Sequence, residues 1–371
     1  HREDKPTVVV GRDGRAGGEP MLEAAIDGLC KAGCRVINLG VATTPTVGIM
    51  VDKYEAHAGL VLTASHNPQE WNGLKALWRT PGTSEEIDCG ALPPDLAADL
   101  ISRFEGGMDV KQADEEGDVE DDTTGVATHW GKVKEAMDGL KVWQRIRKAK
   151  FSVVVDSINS SGAPLAKAFL EALGCDVLHL NDKVTGKFEH TPEPTKDNLK
   201  ELCDVVQRNR ADVGFAQDPD ADRLALVDKS GKYIGEEYTL ALAAMAVLRL
   251  GATPRVTLCT NLSTSRMIED LGGKLGAKVA RSPVGEANVV ALMKKKGSPL
   301  GGEGNGGVIW PQVVYIRDSI SAMGLILALM AEEKGKRALS EMVAMLPTYA
   351  IEKRTRASRQ KKQGANAGEA V

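Results

Sequence analysis

The sequence lacks the cysteine pattern of a zinc site or a disulfide framework. Its six cysteines are scattered without a Cys-x-x-Cys pair or a nearby histidine in zinc spacing, at positions 30, 34, 89, 175, 203 and 259. Scattered cysteines of this kind are typical of reduced thiols in a protein core. We expect Cys30 and Cys34, one helical turn apart, to share the buried face of a single helix.

The sequence also lacks a long hydrophobic run and an excess of positive charge. Its longest apolar stretches, residues 240–248 and 323–331, are too short to cross a bilayer, and its charged N-terminus has no signal-peptide core. A formal net charge of −4 gives no electrostatic reason to bind nucleic acid, and the basic residues 353–362 are interpreted as a solvated tail. We therefore expect a cytoplasmic protein with neither membrane nor nucleic acid as a partner.

The chain does contain a recurring unit of strand, turn and helix. Hydrophobic residues make up 42% and charged residues 26% of its 371 residues, which fits a folded protein of two to four domains. Helical patterns follow strand-like runs, and these runs lie at residues 7–10, 35–39, 58–63, 151–156, 176–180 and 255–260. The alternation predicts an α/β protein with three consecutive domains, each a mixed sheet covered by helices.

Changes in composition suggest where the domains meet. Residues 109–122 are acidic and poor in apolar side chains, which predicts an exposed excursion, and residues 132–150 have the pattern of one amphipathic connecting helix. The predicted domains are residues 1–148, 149–250 and 251–352, followed by a tail or truncated linker at 353–371. We expect an active site in the cleft between the domains.

A serine stands on a loop at the end of a predicted strand. Residues 63–68, Thr-Ala-Ser-His-Asn-Pro, are called here the nucleophile loop, and they follow the strand that ends at Leu62. Because α/β sheets place ligands and nucleophiles at this end of their strands, the position favours a reactive Ser65. Lys75 follows at a distance that lets the chain turn back, and it supplies a proton-transfer group. Viewed alone, the loop is equally consistent with a polar turn closed by Pro68.

Three aspartates alternate within residues 218–223, the carboxylate loop. In an extended segment, Asp218, Asp220 and Asp222 project to one side and form a hard-cation site suited to Mg²⁺. An EF-hand is excluded because its sixth position requires Gly, where the chain has Arg223, and its twelfth requires Glu, where the chain has Lys229. A solvated acidic turn is the alternative, and the flanking apolar strands weaken it.

Residues 301–307, the glycine-rich loop, place five glycines around Glu303 and Asn305. Glycines let the backbone approach a ligand closely, and the two polar side chains can accept and donate hydrogen bonds to sugar hydroxyls. The loop is no GxGxxG nucleotide fingerprint, since we expect no strand directly before it and a carboxylate would face the pyrophosphate. A flexible loop without a ligand is the alternative.

Arginines supply a fourth and weaker signal. Arg12 and Arg15 lie beside the end of the first predicted strand, where their guanidinium groups could bind phosphate. The alternative, equally consistent with the sequence, is that they are ordinary surface arginines beside a turn. Arg223 has the stronger case for a phosphate contact, because it adjoins the predicted metal ligands.

With these elements in this order, the chain resembles the α-D-phosphohexomutase superfamily over nearly its whole length. The nucleophile loop with a downstream Asn-Gly-x-Lys, together with Asp-x-Asp-x-Asp-Arg in the carboxylate loop, is highly specific. The resemblance implies that Ser65 is the phosphoserine and that the three aspartates coordinate Mg²⁺ with the Ser65 phosphate. The other implied roles are proton transfer by His66 and Lys75, charge neutralisation by Arg223, and substrate binding by Arg12, Glu303, Asn305 and Arg317.

The reaction implied by this resemblance moves a phosphoryl group between O6 and O1 of a hexose. Phospho-Ser65 donates to a sugar monophosphate, and the hexose 1,6-bisphosphate so formed, which is also the implied activator, returns its other phosphate to Ser65. Residues 283–289 and 302–307 look most like the phosphoglucosamine mutase branch, so the expected substrate is glucosamine 6-phosphate, with phosphomannomutase or phosphoglucomutase activity as the alternative. The expected partner is this small sugar phosphate, and the expected assembly is a monomer or a homodimer.

Two segments of the family pattern are not in the sequence. Family members usually carry an Arg-x-Ser-Gly-Thr-Glu-Pro type loop, which does not follow Tyr349, and a Gly-Thr-Ser-Gly-like motif, which would precede Thr7. We expect a fragment with weak mutase activity, because the remote phosphate grip helps to orient the sugar. Two other classes stay open: an aspartyl phosphatase with Asp218 as nucleophile, and a sugar-phosphate-binding module without turnover.

Overall fold

A computed structural model describes residues 5–107, 112–251, 255–332 and 335–349 of the chain. It contains three α/β units with one mixed sheet each, as the alternation of strands and helices predicts. The predicted domain boundaries stay a prediction, and the predicted tail at 353–371 lies outside the described residues. Within the described residues, no helix combines the length and the apolar composition that a membrane span requires.

The first unit is built on a six-stranded sheet in the order β5-β4-β3-β1-β2-β6. The β-branched run at its centre favours a strand buried on both faces, and the strands on either side of β1 run parallel to it. Its elements are β1 Thr7–Arg12, α1 Gly18–Lys31, β2 Arg35–Val41, α2 Thr44–Lys53, β3 Ala58–Leu62, β4 Leu74–Trp78, β5 Gly90–Ala91, α3 Pro94–Glu105, β6 Val119–Asp121, α4 Gly125–Gly139 and α5 Trp143–Ala149.

The second unit carries a four-stranded sheet in the order β10-β9-β7-β8, in which β9 and β10 form an antiparallel pair. The carboxylate loop connects these two strands. The elements of this unit are β7 Ser152–Asp156, α6 Gly162–Ala172, β8 Asp176–Leu180, α7 Lys200–Asn209, β9 Val213–Gln217, β10 Leu224–Asp228 and α8 Glu236–Leu250.

The third unit has a four-stranded sheet in the order β12-β11-β13-β14, and a small two-stranded ladder follows it. Its elements are β11 Thr257–Asn261, α9 Met267–Leu275, β12 Lys278–Ser282, α10 Glu286–Lys296, β13 Gly301–Glu303, β14 Gly307–Ile309, α11 Ser319–Met330, β15 Ala331–Glu332, β16 Gly335–Lys336 and α12 Leu339–Ala344.

One buried helix joins the three units. Every residue of α11 is buried, and the helix packs against α4, α6, α8 and α5. A Cβ added to Gly324 would lie 2.8 Å from Met137 Sδ and 3.2 Å from Phe169 Cζ, so the neighbouring helices approach α11 closely. Because this core is continuous, the loops that the units carry are held at fixed positions relative to one another.

Two local predictions are wrong in detail. The single connecting helix is two helices, α4 and α5, because Lys141 adopts a left-handed φ of 59° between them. Cys34 lies outside α1, since Gly33 at φ 82° ends the helix, and Cys30 and Cys34 are both only half-buried. The acidic excursion is exposed, as predicted, and it also contributes the edge strand β6, whose Val119 pairs with Val36.

Candidate active site

The nucleophile loop leaves the sheet directly after β3, and Ser65 lies at its centre. Ser65 has a φ of 48°, and its N–H donates to Thr63 Oγ1 at 2.8 Å, which fixes this uncommon backbone conformation. The Ser65 hydroxyl donates to Asp218 Oδ2 at 3.1 Å, so the predicted nucleophile and the predicted metal ligand are in contact. His66 Nδ1 lies 3.5 Å from the same hydroxyl. Burial and the nearby Arg223 guanidinium lower the pKa of His66.

Arg15 holds the backbone of the nucleophile loop in place. Its guanidinium donates to Ser65 O at 2.6 Å, to Trp71 O at 2.6 Å and to Pro68 O at 3.4 Å. Its Nε donates to Asp13 Oδ2 at 2.7 Å, and the side chain is fully buried. The sequence suggests a phosphate-binding Arg15, and this suggestion is wrong for the described structure, because these carbonyls and the carboxylate take up its N–H groups.

The carboxylate loop is buried throughout. Asp218, Asp220 and Asp222 have no exposed surface, and one oxygen from each lies within 4.8 Å of the others. Among the described residues, Asp220 Oδ1 and Asp222 Oδ1 are buried without a hydrogen-bond partner. Buried unpaired carboxylate oxygens are costly, and hard divalent cations prefer oxygen ligands grouped in this way. The residues present therefore fit a metal such as Mg²⁺.

The surroundings of the cluster shift the pKa values of Asp218 and Asp222 in opposite directions. Burial and the neighbouring Asp222 and Asp220 carboxylates raise the pKa of Asp218 well above its usual range. Burial also acts against the ionised form of Asp222, but Arg317, Lys75 and Arg223 outweigh it and lower the pKa of that carboxyl. Repulsion among three clustered carboxylates is what a bound cation relieves.

Lys75 reaches the carboxylate loop from the first unit. It lies on β4, where it pairs with Val61 of β3, and its Nζ donates to Asp220 Oδ2 and Asp222 Oδ2 at 2.9 Å each. Burial lowers the pKa of Lys75, but the Asp220 and Asp222 carboxylates outweigh this effect and raise it overall. The structure thus places Lys75 beside the predicted metal ligands.

Arg223 faces the same cluster from the end of its loop. Its backbone N–H donates to Asp218 Oδ1 at 3.1 Å, while its Nε stands 3.9 Å from carboxylate oxygens of Asp218 and Asp222. This Nε is buried and lacks a hydrogen-bond partner among the described residues. An unpaired guanidinium N–H beside Ser65 and the aspartates is suited to an anionic oxygen.

The glycine-rich loop is the turn of a hairpin between β13 and β14. As expected, no strand directly precedes it: residues 297–300 are not in a strand, and the motif itself begins with β13, which pairs with β14. Glu303 is buried and accepts from Asn261 Nδ2 at 2.6 Å and Arg317 Nη1 at 2.7 Å. Asn305 Oδ1 accepts from the Gly307 N–H at 3.2 Å, which stabilises the turn.

Arg317 connects the glycine-rich loop to the carboxylate loop. It donates to Asp222 Oδ2 at 2.6 Å and to Glu303 Oε2 at 2.7 Å, and its Nε lies 3.4 Å from Glu286 Oε2. Burial lowers the pKa of Arg317, but the Asp222, Glu286 and Glu303 carboxylates raise it well above its usual value. With its guanidinium held by three carboxylates, Arg317 positions both loops in this structure. A direct substrate contact by Arg317 stays a prediction.

Among the described residues, the side chain of Arg12 makes its hydrogen bond and ion pair with Asp13 and Glu19 and not with another predicted site residue. It ends β1 beside Leu62 of β3, so it shares the strand edge from which the nucleophile loop departs. Its guanidinium donates to Asp13 O at 3.1 Å and stands 3.6 Å from Glu19. Its predicted substrate contact stays untested.

Sequence reasoning missed Asn261 and Arg281, which support the glycine-rich loop. Asn261 orients Glu303, and Arg281 donates to Asn261 O at 2.8 Å and to Thr264 O at 2.7 Å while pairing with Glu269. Asn261 stands at the carboxyl end of β11, the same kind of position that identified Ser65. Arg281 carries no comparable signal, since its partners lie on distant segments.

Three family profiles match the chain. They describe the phosphoglucomutase/phosphomannomutase alpha/beta/alpha domains I, II and III, and they match residues 1–88, 132–231 and 235–349. A probable phosphoglucosamine mutase of Methanopyrus kandleri is 34% identical over 94% of this chain and 73% of its own length. A phosphoglucomutase/phosphomannomutase of Thermococcus kodakarensis is 35% identical over 93% and 73%. A crystal structure of a phosphoglucomutase/phosphomannomutase family protein from Burkholderia thailandensis, 26% identical, superposes with a TM-score of 0.77 over 93% of this chain and 72% of its own.

Proposed function

The chain belongs to the phosphoglucomutase/phosphomannomutase family, and we propose that Ser65 is the residue through which it transfers a phosphoryl group. The protein is a phosphohexomutase, an isomerase that acts by phosphoryl transfer. The observation that carries the assignment is the 3.1 Å hydrogen bond from the Ser65 hydroxyl to Asp218, a member of the buried aspartate cluster.

Asp218, Asp220 and Asp222 would hold one Mg²⁺. When bound there, the ion would neutralise charge on the oxygens of a phosphate carried by Ser65. The two unpaired aspartate oxygens and the burial of the loop support this choice. Arg223 adds a second positive group that faces the same place, through its buried Nε.

In the proposed reaction, a sugar hydroxyl oxygen attacks the phosphorus atom on Ser65. The new oxygen–phosphorus bond forms as the bond to Ser65 Oγ breaks, and the hydroxyl proton passes to a nearby base. His66, whose Nδ1 lies 3.5 Å from Ser65 Oγ, is the candidate base for this proton. Asp220 and Asp222 raise the pKa of Lys75, so its ammonium is the candidate to return a proton to the departing Ser65 oxygen. The bisphosphate then turns over and returns its other phosphoryl group to Ser65.

The sugar would lie against the glycine-rich loop. Bonds from Asn261 and Arg317 hold the Glu303 carboxylate, and the bond from the Gly307 N–H holds Asn305. The remaining hydrogen-bonding groups of these two side chains would therefore meet sugar hydroxyls at fixed positions. We propose glucosamine 6-phosphate as the substrate, since relatives at 32–34% identity are named probable phosphoglucosamine mutases. Mannose and glucose phosphates are the alternative, supported by the relative at 35% identity.

Mass spectrometry of the purified chain tests the role of Ser65. Incubation with glucose 1,6-bisphosphate and Mg²⁺ should add one phosphate to the peptide that contains Ser65, and a hexose monophosphate should remove it. Ser65→Ala should remain unmodified. A folded wild-type chain that never carries phosphate on Ser65 would reject the assignment, and comparing dephosphorylation by glucosamine, mannose and glucose 6-phosphates would identify the preferred sugar.

A further inference from the structure

Three helices begin at the carboxylate loop, one from each α/β unit. The N–H of Thr44 in α2 donates to Asp220 O at 3.0 Å. The N–H of Ser161, which precedes α6, donates to Pro219 O at 3.3 Å, and the N–H of Ser319 in α11 donates to Ala221 O at 3.2 Å. Three successive carbonyls of the loop are therefore held by three helix N-termini.

This arrangement explains how a loop with three buried acidic side chains can be fixed. The first N–H groups of a helix have no partner inside the helix, and they carry partial positive charge. Each of these helices is at least ten residues long, from α2 with 10 to α11 with 12. Their N-termini satisfy the loop carbonyls and favour negative charge nearby.

Thr44 differs from the other two contacts because its side chain also touches an aspartate of the cluster. Thr44 is completely buried, and its Oγ1 donates to Asp220 Oδ2 at 2.6 Å. Lys75 Nζ donates to the same oxygen at 2.9 Å. Both donors hold Oδ2, whereas Oδ1 of the same carboxylate has no partner among the described residues and belongs to the buried cluster.

We propose that Thr44 is a positioning residue that orients Asp220 for metal binding. Its N–H fixes the Asp220 backbone, and its hydroxyl fixes the rotation of the carboxylate, so that one oxygen is kept for the cation. The inference rests on the proposed metal site. Groups that orient a metal ligand through a hydrogen bond typically change metal affinity by about 10- to 100-fold when they are removed.

Binding of Mn²⁺, followed by electron paramagnetic resonance, and of Mg²⁺, followed by calorimetry, tests the role without relying on turnover. Thr44→Val keeps the shape of the side chain and removes its hydroxyl, and it should raise the Kd by about 10-fold or more. Thr44→Ser keeps the hydroxyl and should bind metal nearly as wild type does. Thr46→Val is the matched control, because Thr46 lies in the same helix and bonds Thr43 and His129 but not the loop.

Wild-type affinity in a folded Thr44→Val protein would overturn the role of Thr44, and so would an equal loss in Thr46→Val. Thr44→Ala provides a second test if the valine variant does not fold, and it should show the same loss of affinity. Failure of the wild-type chain to bind either ion would instead reject the metal site itself, and with it the role of Thr44. The wild-type measurement thus distinguishes the two failures.

Discussion

Arg317 Nη2 donates to Asp222 Oδ2 at 2.6 Å, and this bond ties the third α/β unit to the carboxylate loop of the second. The same guanidinium bonds Glu303, so it bridges the predicted metal ligands and the predicted sugar contacts. A planar guanidinium fixes the directions of its several N–H groups and so holds two carboxylates at a set spacing, whereas a lysine ammonium is a rotatable point charge on a flexible stem. This side chain therefore helps to set the spacing of the two loops, together with the bond from the Leu224 N–H to Gly306 O at 3.1 Å.

Replacing Arg317 should damage stability as well as activity. Arg317→Met leaves Asp222, Glu303 and Glu286 without their shared cation, and breaking a buried ion pair in this way costs about 3–5 kcal/mol. Urea unfolding measures the loss. Arg103→Met is the control, because Arg103 and its partner Asp99 are both 58% exposed and such a pair contributes about 1 kcal/mol or less. Similar losses in the two variants would contradict the bridging role.

Arg15 and Arg12 should have separable effects. Arg15→Lys cannot reproduce the bonds to Ser65 O and Trp71 O, so phosphorylation of Ser65 by glucose 1,6-bisphosphate should slow by about 10-fold or more, since small misplacements of a nucleophile are costly. Quantitative mass spectrometry over time measures the rate. Arg12→Lys, which leaves these bonds intact, should mainly raise KM for the sugar phosphate. An unchanged phosphorylation rate in a folded Arg15→Lys chain would contradict the prediction.

The elements that sequence predicted best are those decided locally. The strand at Asp176–Leu180 agrees at both ends, because its boundary is set by neighbouring residues. The break at Lys141 was missed because a lysine with positive φ carries no sequence signal, unlike a glycine. The strand β6 was missed because pairing with β2, distant along the chain, decides its conformation.

The same distinction applies to the site. Ser65 and Asp218 were identified because they stand in contiguous motifs at strand ends, and the structure brings them within 3.1 Å. The residues that support them carry no such motif, because they are distant along the chain. Arg15 lies 50 residues from Ser65, and Thr44 lies 176 residues from Asp220. Which side chain orients a loop depends on tertiary packing, and a motif does not record it.

Asp52 should make stability depend on pH. Burial raises the pKa of Asp52 to about 6, although the Cys89 and Asp88 N–H groups and Arg79 act against this effect. The folded state thus holds this proton more tightly than the unfolded state, whose pKa is about 3.9. The free energy of unfolding should fall as pH rises from about 4 to 6, by about 3 kcal/mol for this group alone.

The difference in unfolding free energy between wild type and Asp52→Asn, measured in urea at several pH values, isolates this contribution. Wild type should lose stability relative to the variant over that window and stay level above it. Asp122→Asn is a control of opposite sign: burial raises the pKa of Asp122, but hydrogen bonds from Thr124 and Tyr54 outweigh it and lower the pKa to about 2. The ionised Asp122 therefore stabilises the folded wild type relative to Asp122→Asn at neutral pH. This extra stability should be lost only as the pH falls below about 4. A flat difference for Asp52→Asn would contradict the prediction.

Two glycines in the glycine-rich loop should respond differently to alanine. Gly306 has a φ of 87°, and an added Cβ would lie 2.6 Å from the backbone oxygen of Leu224. Left-handed backbone costs a residue with a side chain about 1–2 kcal/mol, and the backbone contact adds a similar amount. Gly306→Ala should therefore lower the free energy of unfolding by about 2–4 kcal/mol and raise KM, because β13, the turn and β10 must separate.

Gly304→Ala is the matched comparison. Its added Cβ would meet Glu237 Oε1 at 2.2 Å, but that atom is the end of a flexible side chain, and Gly304 does not have a positive φ. A rotation of Glu237 relieves the contact but breaks the bond that its Oε2 accepts from the Ser265 N–H at 3.0 Å, so the cost should be about 1 kcal/mol, less than that of Gly306→Ala. Urea unfolding and KM for the sugar phosphate, measured for both variants, give the comparison. If Gly304→Ala proved the more damaging, the packing of the glycine-rich loop against β10 would not be what fixes its position.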